Sequence, residues 1–117
     1  MAFDEELAHR IRELVADESG LTEQRMFGGL AFLVGGNMAI AASSHGGVLV
    51  RVDPVTSDRL VATTPAEPMT MRGRPMTGWV RVDADHVRTK RQLAKWVAIG
   101  TSYAGSLPVK KKKTKRS

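Results

Sequence analysis

The sequence predicts a two-layer α+β domain in which an antiparallel sheet of about five strands packs on helices. Two observations lead to this fold class. Apolar residues recur at helical spacing near both ends of the chain, and at alternate or continuous positions in short segments between them. Glycine and proline turns separate these segments, so the predicted order is α-β-β-β-α-β-β-α. The 117 residues suffice for one domain.

The first predicted element is an amphipathic helix over residues 3–18. Acidic residues follow its start, where they favour the positive end of the helix dipole. The pair Ser19-Gly20 then ends it. The side chains that recur at helical spacing are Phe3, Leu7, Ile11, Leu14 and Val15.

Three strands are predicted next, as a meander. Residues 24–34 form one strand, bent or bulged at the pair Gly28-Gly29. Residues 38–42 form the second and residues 48–52 the third. Alternation places Val48, Val50 and Val52 on one face of the third strand, and Leu49 and Arg51 on the other.

The pair Asp53-Pro54 predicts a helix start, because the carboxylate can accept from a free amide and proline suits the first turn. This helix is expected to end near residue 62. Two strands follow at residues 69–72 and 78–82, and a final helix runs from about Thr89 to Ser106.

Few aromatic residues are available to the core, only 5% of the chain. Trp79 and Trp96 are therefore interpreted as anchors between the sheet and the final helix. Met69, Met71 and Met76 are interpreted as adaptable core-filling side chains.

Several segments together resemble the N-terminal domain of the TfoX/Sxy regulators, bacterial proteins of competence and transcription control. The resemblance covers residues 4–108 and rests on their order and spacing. The segments are Met26-Phe27-Gly28-Gly29-Leu30-Ala31-Phe32, Gly36-Asn37-Met38, Leu49-Val50-Arg51-Val52, Glu67-Pro68-Met69, Gly73-Arg74-Pro75-Met76-Thr77-Gly78-Trp79-Val80 and Ala94-Lys95-Trp96-Val97.

This resemblance implies an interaction domain without catalytic residues or a cofactor. It links the chain to transcription or competence regulation through protein contacts, with an unidentified partner that belongs to the transcription machinery. Full-length members carry a second, C-terminal domain, whereas this chain is expected to hold the first alone. Residues 1–108 are then the domain and residues 109–117 a disordered basic tail.

The net charge of +6 comes entirely from that tail, because Lys and Arg equal Asp and Glu in number over residues 1–109. One interpretation is weak, sequence-independent binding of nucleic acid by the tail. The other is a solubilising end. The cations are Lys110, Lys111, Lys112, Lys113, Lys115 and Arg116.

Four arginines on or between neighbouring predicted strands form a candidate contact for an anion or a partner, because guanidinium groups bind carboxylates and phosphates. Under this interpretation the chain could bind a small anionic ligand or act on one as an enzyme. The alternative is ordinary surface ion pairs with Asp53, Asp58 and Asp83. The arginines are Arg51, Arg72, Arg74 and Arg81.

No motif predicts catalysis or metal binding. Cysteine is absent, which excludes disulfides and thiolate ligands. His9, His45 and His86 are scattered without the paired spacing of a zinc site. The glycine pairs lack the Lys-Ser/Thr of a phosphate loop.

Cellular location and oligomeric state are predicted from less specific features of the sequence. Acidic residues near the N-terminus do not fit a signal peptide, so a cytoplasmic protein without membrane contact is expected. An open antiparallel sheet has free edges, and a homodimer through one of them is an open possibility.

Overall fold

The computed structural model of the protein describes most of the chain. The described residues are 5–18, 20–26, 29–43, 46–71 and 73–108. The predicted basic tail, residues 109–117, lies outside them.

The described residues form three α-helices and six strands, in the order α-β-β-β-β-α-β-β-α, which confirms the α+β class. The strands make one antiparallel sheet in the spatial order β1-β2-β3-β4-β6-β5. The helices are α1 (Glu5–Leu14), α2 (Pro54–Thr63) and α3 (Lys90–Ser106). The strands are β1 (Leu21–Met26), β2 (Gly29–Val34), β3 (Asn37–Ala42), β4 (Val48–Arg51), β5 (Glu67–Met71) and β6 (Arg74–Val82).

The prediction of a single bent strand over residues 24–34 is wrong. The segment belongs to two strands, β1 and β2, which pair antiparallel from Leu21 opposite Val34 to Met26 opposite Gly29. β1 is an edge strand whose side chains from Thr22 to Arg25 are exposed and polar. A polar edge strand lacks the apolar alternation that identifies a strand in a sequence, which is why it was missed.

The predicted helix ends are partly confirmed. The Asp53 carboxylate accepts from the amide of Val55 at 2.9 Å and caps α2. Thr89 caps α3: its hydroxyl accepts from the amide of Gln92 at 3.0 Å, and the Gln92 side chain accepts from the amide of Thr89 at 3.1 Å. α1 is shorter than predicted, since it ends at Leu14 and gives way to turns before residue 18.

All three helices pack on one face of the sheet. Val48, Val50 and Val52 point to this face, as the alternation predicts, and Trp96 of α3 is buried among them. The buried residues of this main core also include Leu7, Ile11, Val15, Phe32, Ile40, Val80, Val82, Leu93 and Val97.

A second buried cluster, made only of strand residues, lies on the opposite face. Half-buried Met69 and Trp79 pack against it, which agrees with the predicted packing role of Met69. Trp79 alternates with Val80 and therefore does not join Trp96 between the sheet and α3, contrary to prediction. The buried members are Ala31, Leu33, Met38, Ala41 and Leu49.

Close contact between α3 and the sheet depends on Gly100. A Cβ atom at this position would overlap the carbonyl oxygen of Ala39 in β3 and lie 3.3 Å from Cγ1 of Val50. The helix backbone therefore rests directly on the β3 backbone. Gly105, five residues further along α3, faces open space.

Gly100→Ala is expected to lower the free energy of unfolding by about 1–3 kcal/mol, because α3 must move away from β3. Gly105→Ala, the matched control on the same helix, is expected to raise it by about 0.5 kcal/mol through helix propensity. Urea unfolding measures both. Equal effects of the two substitutions would contradict the close contact at Gly100.

An ion pair joins α1 to the edge strand β1. Nε of Arg12 donates to Oε2 of Glu23 at 2.7 Å, and Nη2 of Arg12 donates to Oε1 of Glu23 at 3.1 Å. The hydrogen bonds from Arg12, helped by its charge, lower the pKa of the Glu23 carboxyl, and partial burial opposes this shift. Both side chains are largely solvated, so the pair makes a small contribution to stability.

Because the pKa of Glu23 is lowered in the folded state, the stabilisation by the ion pair with Arg12 depends on pH. It is present above the ordinary glutamate pKa of about 4.3 and is lost as the pH falls through the lower folded-state value. Glu23→Gln is therefore expected to lower the thermal unfolding midpoint slightly at neutral pH, with the difference closing at acid pH. Calorimetry from pH 7 to acid checks this. A difference that grows on acidification would refute the pairing.

Candidate functional site

Two of the predicted arginines lie close together on the sheet face opposite the helices. In the pairing of β4 with β6, Arg51 is opposite Trp79 and Leu49 is opposite Arg81. Alternation puts all four side chains on the face of the second cluster. Arg51 and Arg81 are thus diagonal neighbours, with Trp79 beside both.

The guanidinium of Arg51 lies against two aromatic rings. Its Cζ is 5.5 Å from the ring centroid of Trp79 and 5.8 Å from that of Tyr103 in α3. Both distances fall within the range of about 6 Å at which a cation is attracted by an aromatic ring. These contacts hold a half-buried arginine at the point where α3 meets the end of β4.

Arg81 has an acidic neighbour, as the surface-pair interpretation predicts. Its Nη2 is 3.6 Å from Oδ1 of Asp83, and the Asp83 side chain is 54% exposed. Glu67 of β5 is directly opposite Arg81 in the sheet. Asp53, by contrast, serves as the cap of α2.

Arg74 does not join Arg51 and Arg81. Arg74 is exposed at the start of β6, opposite Met71. It precedes Trp79 by five residues, or about 16 Å of extended strand. Arg72 and the six tail cations lie outside the described residues. We call Arg51, Trp79, Arg81 and Tyr103 the arginine–aromatic surface.

Tyr103 is the member of this surface that the sequence prediction missed. It follows Trp96 by seven residues and therefore lies on nearly the same side of α3, at the border of the buried stripe. That spacing was a usable signal. The contact with Arg51 was not, because it joins a helix to a strand through tertiary packing.

The described residues contain no cluster of metal ligands. No set of three or more His, Asp or Glu side chains among them could hold a metal ion. His9 pairs with Glu13 on α1 at 3.3 Å, His86 lies in a short turn after β6, and His45 is outside the described residues. A cavity of about 320 Å³ beside α1 is lined by Arg12 and Glu23, which already bind each other.

Comparison with known protein families identifies the fold. The sequence matches the TfoX N-terminal domain over residues 13–104. The chain belongs to the TfoX N-terminal domain family. No curated protein matches it.

The arginine–aromatic surface of this TfoX N-terminal domain lies wholly within the matched residues. So do all six strands, α2 and most of α3, whereas most of α1 precedes the match. Among the described residues, no helix combines the length and the apolar character that a membrane span requires.

The stacking of Arg51 can be measured as a coupling energy in this TfoX N-terminal domain. Arg51→Met and Tyr103→Leu are expected to be non-additive by about 0.5–1 kcal/mol, because each removes one partner of the same contact. Urea unfolding of both single variants and the double variant gives the value.

The matched control cycle pairs Arg74→Met with Tyr103→Leu. Arg74 lies at the start of β6, about 16 Å of extended strand from Trp79, and Tyr103 lies in α3, so these two substitutions are expected to be additive. Additivity in the Arg51 cycle as well would mean that the cation does not contact the ring.

Proposed function

We propose that this TfoX N-terminal domain is a non-catalytic interaction domain that acts in transcription or competence regulation through protein contacts. Family membership supports the domain type. The observation on which the proposal depends is the half-buried Arg51, whose guanidinium lies against the rings of both Trp79 and Tyr103 at the end of β4.

The composition of the arginine–aromatic surface favours a protein partner. Arginine, tryptophan and tyrosine are the residue types that contribute most often to binding energy at protein interfaces. Arg51 is already oriented by its rings, so binding would cost less side-chain entropy than binding by a free arginine. The edges of its guanidinium keep N–H donors that suit a carboxylate of the partner.

The surroundings of Arg51 have the layout of an interface. Half-buried Met69 packs on the same face against a cluster that includes buried Leu49, and charged Arg81, Asp83 and Glu67 lie along one side. An apolar centre with a charged rim of both signs excludes water from the central contact and fixes orientation.

The test is affinity purification of the intact chain from its host cells after chemical crosslinking. Arg51→Glu should reduce recovery of the specific partner at least tenfold, because it places a negative charge against the carboxylate that Arg51 binds. Arg59→Glu is the matched control: Arg59 is exposed on α2, which packs on the other sheet face. It should leave recovery unchanged.

Two results would contradict the proposal. One is recovery of the same proteins by the wild type, Arg51→Glu and Arg59→Glu. The other is the absence of any transcription-associated protein among the wild-type partners, together with turnover of a metabolite by the purified chain. Circular dichroism of each variant separates a lost contact from a lost fold.

A further inference from the structure

The charges of the chain are strongly divided along its length. Residues 1–87 contain all 12 Asp and Glu but only eight of the 18 Lys and Arg. Residues 88–117 contain the other ten Lys and Arg and no acid. The equal numbers of charges over residues 1–109 therefore conceal a positive segment inside the folded domain. It starts just before α3.

α3 presents one continuous exposed row on the side away from the sheet. Arg91 and Lys95 form its first part, and every later member has a small side chain. Their spacing of three or four residues places them along one line of the helix. The row consists of Arg91, Lys95, Ala98, Ser102 and Gly105, all exposed.

Further cations border the start of this row. Arg88 and Lys90 are exposed beside the Thr89 cap. Nη2 of Arg10 donates to the carbonyl oxygen of Arg88 at 3.0 Å, which brings a cation of α1 to the same place. Glu13 lines a cavity of about 190 Å³ together with Arg10 and Lys90, and it also pairs with His9.

We propose that the exposed face of α3 binds the phosphate backbone of nucleic acid, independently of base sequence. We call Arg88, Lys90, Arg91 and Lys95 the α3 basic face. Lysine and arginine side chains of this kind supply the salt-dependent part of nucleic-acid binding. Arg91 and Lys95 are one helical turn apart, so one strand can contact both.

Two features favour nucleic acid over an acidic protein segment. The small side chains of Ala98, Ser102 and Gly105 allow a broad, regular polyanion to approach the helix along its length. The row offers no large apolar or aromatic side chain, which a protein interface would need as an anchor and which base stacking would use. The contact is therefore purely electrostatic and insensitive to sequence.

This activity is separate from the proposed protein contact. The α3 basic face lies on the solvent side of α3, whereas Arg51 contacts Tyr103 at the border of the buried stripe. A protein partner on the arginine–aromatic surface and nucleic acid on α3 use different residues. Failure of one proposal leaves the other intact.

The experiment measures the affinity of the intact chain for a fluorescently labelled DNA duplex of about 20 base pairs by anisotropy, over about 50 to 200 mM salt. Each phosphate contact contributes about 0.9 to the slope of log K against log salt. Arg91→Gln with Lys95→Gln should therefore reduce the slope by about 1.8.

The matched control is Arg59→Gln with Arg74→Gln, which removes the same charge from exposed positions on α2 and β6. It should leave the slope unchanged. An unchanged slope in the α3 variant would place every phosphate contact outside this pair and overturn the proposal. Equal reductions of the slope in both double variants would show an effect of net charge alone, and this result would also overturn the proposal.

Competition with polyglutamate distinguishes nucleic acid from an acidic protein segment as the ligand of the α3 basic face. Displacement of the DNA only at a large excess of glutamate residues over phosphates supports nucleic acid as the ligand. Displacement at equal charge concentration, lost together with DNA binding in the α3 variant, would assign the face to an acidic protein and refute the proposal as stated.

Discussion

The contact of Gly100 with the β3 backbone determines how the rest of the molecule is arranged. Since a side chain there would overlap the Ala39 carbonyl, glycine is what allows α3 to lie directly on the sheet. From that position Leu93 and Trp96 enter the main core, and Tyr103 reaches Arg51. The opposite side of the helix remains exposed. The close approach at Gly100 therefore determines the positions of the arginine–aromatic surface and of the α3 basic face, for which we propose functions.

Strand register is the second constraint. Val50 and Val80 are buried beneath the helices, and their neighbours Arg51 and Trp79 face the other way as a cross-strand pair. A slip of one residue would exchange the two sets, burying a charge and exposing valines. The large apolar area of the main core thus fixes the position of the arginine–aromatic surface, although that surface contributes little to the core itself.

Local patterns predicted much of the fold, and tertiary contacts account for what they missed. The Asp53 cap, the start of α3 near Thr89 and the inward face of Val48, Val50 and Val52 follow from neighbours in sequence. β1 could not be recognised, since its polar side chains show no apolar period. Arg51 and Arg81 were predicted to lie on or between neighbouring strands, and the structure puts both on the sheet face that carries Trp79. Packing between segments distant in sequence decides which sheet face these side chains occupy. It also brings Tyr103 to Arg51.

The nuclear magnetic resonance signal of the Arg51 side chain in the intact protein tests most directly whether the arginine–aromatic surface is ordered. Two flanking rings shield nuclei on their faces, so the Arg51 Nε–H proton should resonate upfield of those of exposed Arg59 and Arg74, and should exchange more slowly with water. Tyr103→Leu should move it toward the exposed positions. An Arg51 signal that coincides with those of Arg59 and Arg74 and does not respond to this substitution would show a free guanidinium and contradict the ordered surface on which the proposed function depends.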